Sequence, residues 1–109
     1  MIAVSPLARV RDIHFARLWG QCPVQAFGTV NGLPFYFHAR FDTWTFAISA
    51  TPDIDPVQVA IENAPGFRVQ HVYRKRTRGR CDASFMSHAQ ARVFIETTAN
   101  YYLGRCSND

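Results

Sequence analysis

Cysteine is scarce in this chain and comes in an odd number: Cys22, Cys81 and Cys106. So sparse a set does not make a disulfide framework, which points to a reduced, cytoplasmic setting. Closely paired metal ligands of the CxxC or HxxxH type are missing, so neither a metal nor a cofactor is expected. Long apolar runs are missing too. Nothing approaches the roughly 20 residues that a membrane span requires. The opening MIAVSPLARVRD has no basic head before a long apolar stretch, so no secretory signal is expected. Charged residues are few, at 18%, but hydrophobic residues reach 48%, which argues against disorder and supplies one core. There are no repeats, linkers or low-complexity tracts. The 109 residues suit a single domain over 1–109.

What charge there is sits unevenly. The formal balance is +4, from 12 basic and 8 acidic residues. Five of the cations, Arg74, Lys75, Arg76, Arg78 and Arg80, fall in RKRTRGR at 74–80. Without them the chain carries seven basic against eight acidic residues, a balance of −1. The protein is therefore near neutral with one concentrated basic segment. Such a segment suits phosphates, whose neutralisation dominates non-specific nucleic-acid binding, or an acidic protein surface.

The element pattern predicts a single α+β domain. Ser5-Pro6 has the form of a helix start, and a first helix is expected through LARVRDIHFARLWG. Asn31-Gly32 between CPVQAFGTV and LPFYFHAR is a strong hairpin signal. A two-residue loop there pairs Val30 with Leu33, Gly28 with Phe35, Ala26 with Phe37 and Gln25 with His38. A turn near Phe41-Asp42 then pairs Ala39 with Trp44 and Phe37 with Phe46. Alternation puts Val24, Ala26, Phe35, Phe37, Trp44, Phe46 and Ile48 on a core face. The other face is mixed, with Phe27, Tyr36, His38 and Arg40. Asp55-Pro56-Val57-Gln58 predicts a capped helix with a stripe of Val57, Ala60, Ile61 and Ala64. FRVQHVYRK predicts a fourth strand. A last helix is expected from Ser84 or Ser87 to Leu103, closed by Gly104. On it Met86, Ala89, Val93, Thr97 and Tyr101 share one side. Ala91, Ile95 and Tyr102 lie nearly opposite, as a second layer contact or a contact between two copies at Ile95 and Tyr102. The expected architecture is α-βββ-α-β-α: an antiparallel sheet of three meander strands plus a fourth, with helices before, between and after.

Catalytic signatures are missing: GxSxG, HExxH and glycine-rich phosphate loops do not occur. His14, His38, His71 and His88 are the available general bases. A metal-independent ribonuclease needs only His, Arg, Tyr and Lys and leaves no motif. Small basic ribonuclease toxins have this size and charge, though they place helices first and a continuous meander last. Phe27 and Tyr36 beside His38 and Arg40 are the ingredients of a base-stacking platform, unless a helix covers them.

AFGTVNGLPFYFHARFDTWTFAIS, residues 26–49, resembles a segment of small uncharacterised proteins of proteobacteria, their phages and mobile elements. The shared pattern is a Gly-x-x-Asn/Asp-Gly hairpin, Pro-Phe-Tyr-Phe-x-Ala-Arg and an aromatic strand. It covers under a quarter of the chain and carries over no catalytic residue. The resemblance implies a setting in which accessory proteins, anti-CRISPR inhibitors among them, act by binding another machine. The basic charge departs from inhibitors that mimic DNA with acidic residues. The sequence thus leads to a non-enzymatic binding protein that associates with, and inhibits, a nucleic-acid-handling complex. Its expected contacts are Arg74, Lys75, Arg76, Arg78 and Arg80, supported by Tyr36, His38 and Arg40. A direct RNA- or DNA-binding module is the second reading, and a ribonuclease-type toxin the third.

Overall fold

The computed structural model describes residues 13–73 and 83–107. Five antiparallel strands form one sheet in chain order: β1 (Ile13–Trp19), β2 (Val24–Val30), β3 (Leu33–Arg40), β4 (Thr43–Ser49) and β5 (Gly66–Val72). Helix α1 (Pro56–Glu62) joins β4 to β5. After β5 come a 3₁₀ turn (Ala83–Phe85) and helix α2 (His88–Ser107).

The expected helix-first order is overturned, because residues 13–19 are a strand paired with β2. The start expected at Ser5-Pro6 lies outside the described residues. A bulge explains the disguise. The register shifts between Phe15 and Arg17, so the alternation changes phase there. Ile13 and Phe15 face the core before the bulge and Leu18 after it. Arg17 and Trp19 turn to the other face, beside Phe27 and Gln25.

The central meander has the expected register. Asn31 and Gly32 both take positive φ, 53° and 82°, as the two-residue hairpin turn requires. Val30 pairs with Leu33, Gly28 with Phe35 and Gln25 with His38. Ala39 pairs with Trp44 and Phe37 with Phe46. Gly28 is required where it stands: a Cβ there would collide with the His14 carbonyl oxygen and lie 2.7 Å from the Phe35 ring.

Helix α2 covers the core face. Phe35, Phe37 and Phe46 are fully buried beneath it, each contributing about 1.5–3 kcal/mol. The sides of α2 are the reverse of those expected. Ala91, Ile95, Ala99 and Leu103, four residues apart, face the sheet, while Val93 and Tyr101 are exposed. The alanines let the helix backbone approach a sheet already filled with rings, and Phe94 stacks on Trp44 at 5.0 Å. Gln90 N–H donates to Ser87 Oγ at 3.0 Å, capping the start, and the helix runs on through Gly104 to Ser107.

Helix α1 lies on the opposite face. Asp55 caps it, accepting Val57 N–H at 3.0 Å, and Pro56 takes the first turn. It buries Val59 and Ala60 over Tyr36 and Ala47. Ile61, expected in the buried stripe, is 68% exposed. The molecule therefore has three layers, with α1 rather than a first helix shielding Tyr36.

Candidate functional site

The β3–β4 turn organises one end of the molecule. Phe41 sits in the left-handed region at φ 59°, a costly place for a bulky residue. Three hydrogen bonds hold it. Phe41 N–H donates to Ser84 Oγ at 2.6 Å. Its carbonyl accepts from Ala83 N–H at 2.7 Å and Ser84 N–H at 3.2 Å. The neighbouring Asp42 carbonyl accepts Tyr73 N–H at 2.7 Å. Tyr73 and Ala83 stand before and after the basic segment in the sequence, and both are hydrogen-bonded to this turn. Arg74, Lys75, Arg76, Arg78 and Arg80 themselves lie outside the described residues.

Other chain segments converge on this end. Cys22 N–H donates to the Ser84 carbonyl at 2.8 Å, and His88 Nε2 lies 2.8 Å from the Gly20 carbonyl oxygen. Two rings stand out into solvent, Phe41 at 55% and Phe85 at 60% exposure. The Arg40 guanidinium lies 4.9 Å from the centre of the Phe41 ring, a cation–π contact at the surface.

On the α1 side of the sheet a groove of about 530 Å³ opens beside the turn, with His38, Arg40, Phe41, Thr45, Ile61 and Arg68 in its lining. Alternation along β3, β4 and β5 sends these strand side chains to one face. Arg68 is fixed there, its Nε donating to the Ala60 carbonyl at 2.8 Å and its second nitrogen to Gln70 Oε1 at 2.6 Å. Burial, and then the Arg40 charge, hold the His38 imidazole below the ordinary histidine value. A smaller hollow of about 210 Å³ extends from His38 toward Tyr36 and Val57. Tyr36 donates its hydroxyl to Gln25 Oε1 at 3.0 Å, and burial raises its pKa. The groove combines the cations of Arg40 and Arg68 with the Asp42 carboxylate, threonine hydroxyls and an apolar wall.

The same face carries a column of rings across three strands. Arg17 lies over Trp19 at 4.2 Å, Trp19 stacks on Phe27 at 5.7 Å, Phe27 meets Tyr36 at 4.9 Å, and Tyr36 meets His38 at 5.9 Å. Trp19 and Phe27 are stacked at an interplanar angle of 22°, and the other two pairs are tilted by 33° and 30°. A platform for bases needs faces turned outward. In this column Trp19 already contacts Arg17 and Phe27, and Tyr36 is buried, so little ring face is left for bases.

The structure thus brings His38 and Arg40 together with the anchors of the basic segment, and sets Tyr36 beneath them as a largely buried support. Sequence reasoning missed Phe41, Phe85 and Arg68. Arg68 was reachable, since the β5 alternation puts it on the face of His38 and Arg40. Nothing local marks the convergence of the turn with residue 84. The expected copy-to-copy contact at Ile95 is removed, because Ile95 is fully buried in its own chain's core. Tyr102 is half-buried, 4.9 Å from the Phe67 ring. Among the described residues no three His, Cys, Asp or Glu side chains are grouped to hold a metal, and no helix is long and apolar enough to cross a membrane. Comparison with protein families, curated proteins and solved structures gave no match.

Proposed function

We propose that this protein is a non-enzymatic binding protein, an accessory factor of the phage or mobile-element kind, that attaches in the cytoplasm to a nucleic-acid-handling complex and obstructs it. One observation carries the reading: Tyr73 and Ala83 are both fastened to the Phe41–Asp42 turn. Tyr73 and Ala83, which precede and follow the five-cation segment in the sequence, therefore stand beside Arg40, the exposed Phe41 ring and the groove containing His38 and Arg68. The cations supply long-range attraction to phosphates or acidic surface on the complex. Phe41 and Phe85 supply apolar anchors of the kind that dominate binding energy. Tyr36 contributes from below, through its ring contact with His38.

The test is affinity capture from a bacterial lysate, with and without nuclease treatment, followed by mass spectrometry. Wild-type protein is compared with a variant carrying Arg74→Glu, Lys75→Glu, Arg76→Glu, Arg78→Glu and Arg80→Glu. The expected result is capture of a nucleic-acid-handling enzyme that survives nuclease and is lost in the variant. Capture of nucleic acid alone, abolished by nuclease, would replace this reading with direct nucleic-acid binding. Equal capture by the variant would remove the basic segment from the site.

A further inference from the structure

A row of hydrogen-bonding side chains crosses the sheet beside α1. His38 pairs with Thr45, and Thr45 with Gln70, so the three stand in line on one face with neighbouring Cβ atoms about 4.5–5.5 Å apart. Arg68 closes the β5 end of the row. Its Nε donates to the Ala60 carbonyl at 2.8 Å and its Nη2 to Gln70 Oε1 at 2.6 Å, which fixes the guanidinium between the helix and the row. Donors are in excess here. The Gln70 oxygen is taken by Arg68, so the Gln70 amide N–H groups have no acceptor among the described residues. The Thr45 hydroxyl and the remaining N–H groups of Arg68 have none either. The His38 ring makes no hydrogen bond with the described residues.

Charge is sorted along the groove. Arg40 and Asp42 belong to the turn end, where Arg40 pairs with Thr43, the next row on this face, and the Asp42 carboxylate accepts the Thr43 hydroxyl at 3.2 Å. Arg68, at the other end, bonds a carbonyl and an amide, and no carboxylate among the described residues answers its charge. Between His38, Thr45 and the helix lies the hollow of about 210 Å³, walled by Val57, Ala60 and the exposed Ile61. A fixed cation and a row of unmet donors thus stand next to an apolar recess.

We infer that the Thr45–Gln70–Arg68 corner seats a carboxylate side chain of the partner protein, with an apolar residue adjacent to it in the partner's sequence packed into the hollow beside α1. An ionised carboxylate only accepts, and it takes N–H and O–H donors from several directions, which is what this corner leaves unmet. Its single charge matches the single uncompensated cation. Nucleic acid fits less well, because a phosphate would bring a sugar and a base, and Trp19, Phe27 and Tyr36 on this face are already in contact with one another. The inference rests on the partner reading for the source of the carboxylate, and at this subsite it selects acidic protein surface over phosphate.

Amide chemical shifts of the full, isotope-labelled chain test it, on titration with the capped dipeptide acetyl-Leu-Glu-amide, its Leu-Gln counterpart and inorganic phosphate. The expected result is saturable shifts centred on Thr45, Gln70 and Ile61 with the Glu probe, and binding roughly tenfold weaker with the Gln probe, since hydrogen bonds to a charged group are the stronger ones. Arg68→Gln and Thr45→Val each weaken the Glu probe by a roughly similar factor. Thr45→Val keeps the side-chain shape and carries the test if Arg68→Gln disturbs α1. No saturable shift with the Glu probe overturns the inference, as does equal binding of the Gln probe or of phosphate. Two further outcomes separate it from the proposed function. Dipeptide binding without capture of any partner faults the proposed function alone. Partner capture that Thr45→Val and Arg68→Gln both leave unchanged faults this subsite alone.

Discussion

Phe41 shows how one residue is held where its backbone resists. A non-glycine residue in the left-handed region costs about 1–2 kcal/mol, and the Ser84 and Ala83 hydrogen bonds hold it there. Phe41→Gly therefore raises stability by about 0.5–1 kcal/mol in urea unfolding, since glycine removes the strain at a smaller entropic cost. The same change deletes an exposed anchor and weakens partner capture. Loss of stability would show that the ring, and not the turn, is what the fold uses. Ser84 lies fully buried behind the turn, and Ser84→Ala leaves Phe41 N–H unpartnered at a cost of about 1–3 kcal/mol. His38 adds a dependence on pH. Its folded pKa lies below the ordinary value of 6.5 because burial and Arg40 disfavour the charged ring. Above that value it is neutral in both states and contributes no slope. As pH falls through it, the unfolded chain takes up the proton first and stability drops, until the folded pKa is also passed. His38→Gln should flatten the denaturation midpoint between neutral and mildly acidic pH; an unchanged acid limb would assign the slope to another group.

At the scale of elements, the hairpins were legible because strand alternation and a two-residue turn act locally. Once Asn31-Gly32 fixes Val30 against Leu33, every later pair to Phe37 and Phe46 follows. Strand β1 was not legible, because its bulge puts Ile13 and Phe15 out of phase with Leu18 and the run resembles neither period. Helix α2 misled for a different reason. Val93 and Tyr101 of the expected apolar side mark the outside, while Ala91 and Ala99 line the inside with Ile95 and Leu103. Space decides here: the rings of β3 and β4 fill much of the layer, so the helix brings Ala91 and Ala99 to it between the larger Ile95 and Leu103. This gives a paired prediction for thermal unfolding. Ala99→Leu costs about 1–3 kcal/mol by overpacking, whereas Val93→Ala stays within about 0.5 kcal/mol. The opposite order would restore the stripe that bulk alone suggests. The site was legible to the same partial degree. Alternation along β3 put Tyr36, His38 and Arg40 on one face, but the meeting of residues 41, 73 and 83 depends on how distant segments close, which no local pattern records.

At the scale of the whole molecule, the proposed binding separates charge from apolar anchoring. The basic segment holds five of the twelve cations, and the rest of the chain balances to −1. A charge so concentrated acts at a distance, raising the encounter rate and losing its reach as salt shortens the Debye length, about 10 Å at 0.1 M. In the proposed binding, Phe41 and the groove act only after contact, when water is displaced. Binding kinetics with the captured partner should therefore divide along this line. Arg76→Gln and Arg78→Gln lower the association rate several-fold at low salt, and the difference shrinks as salt rises, with the dissociation rate little changed. Phe41→Gly leaves association near wild type and speeds dissociation, the usual place for the loss of a buried anchor. Surface plasmon resonance across a salt series separates the two. If the arginine changes act on dissociation at every salt concentration, the cations sit in desolvated pairs inside the interface. Steering by the segment would then give way to docking through it.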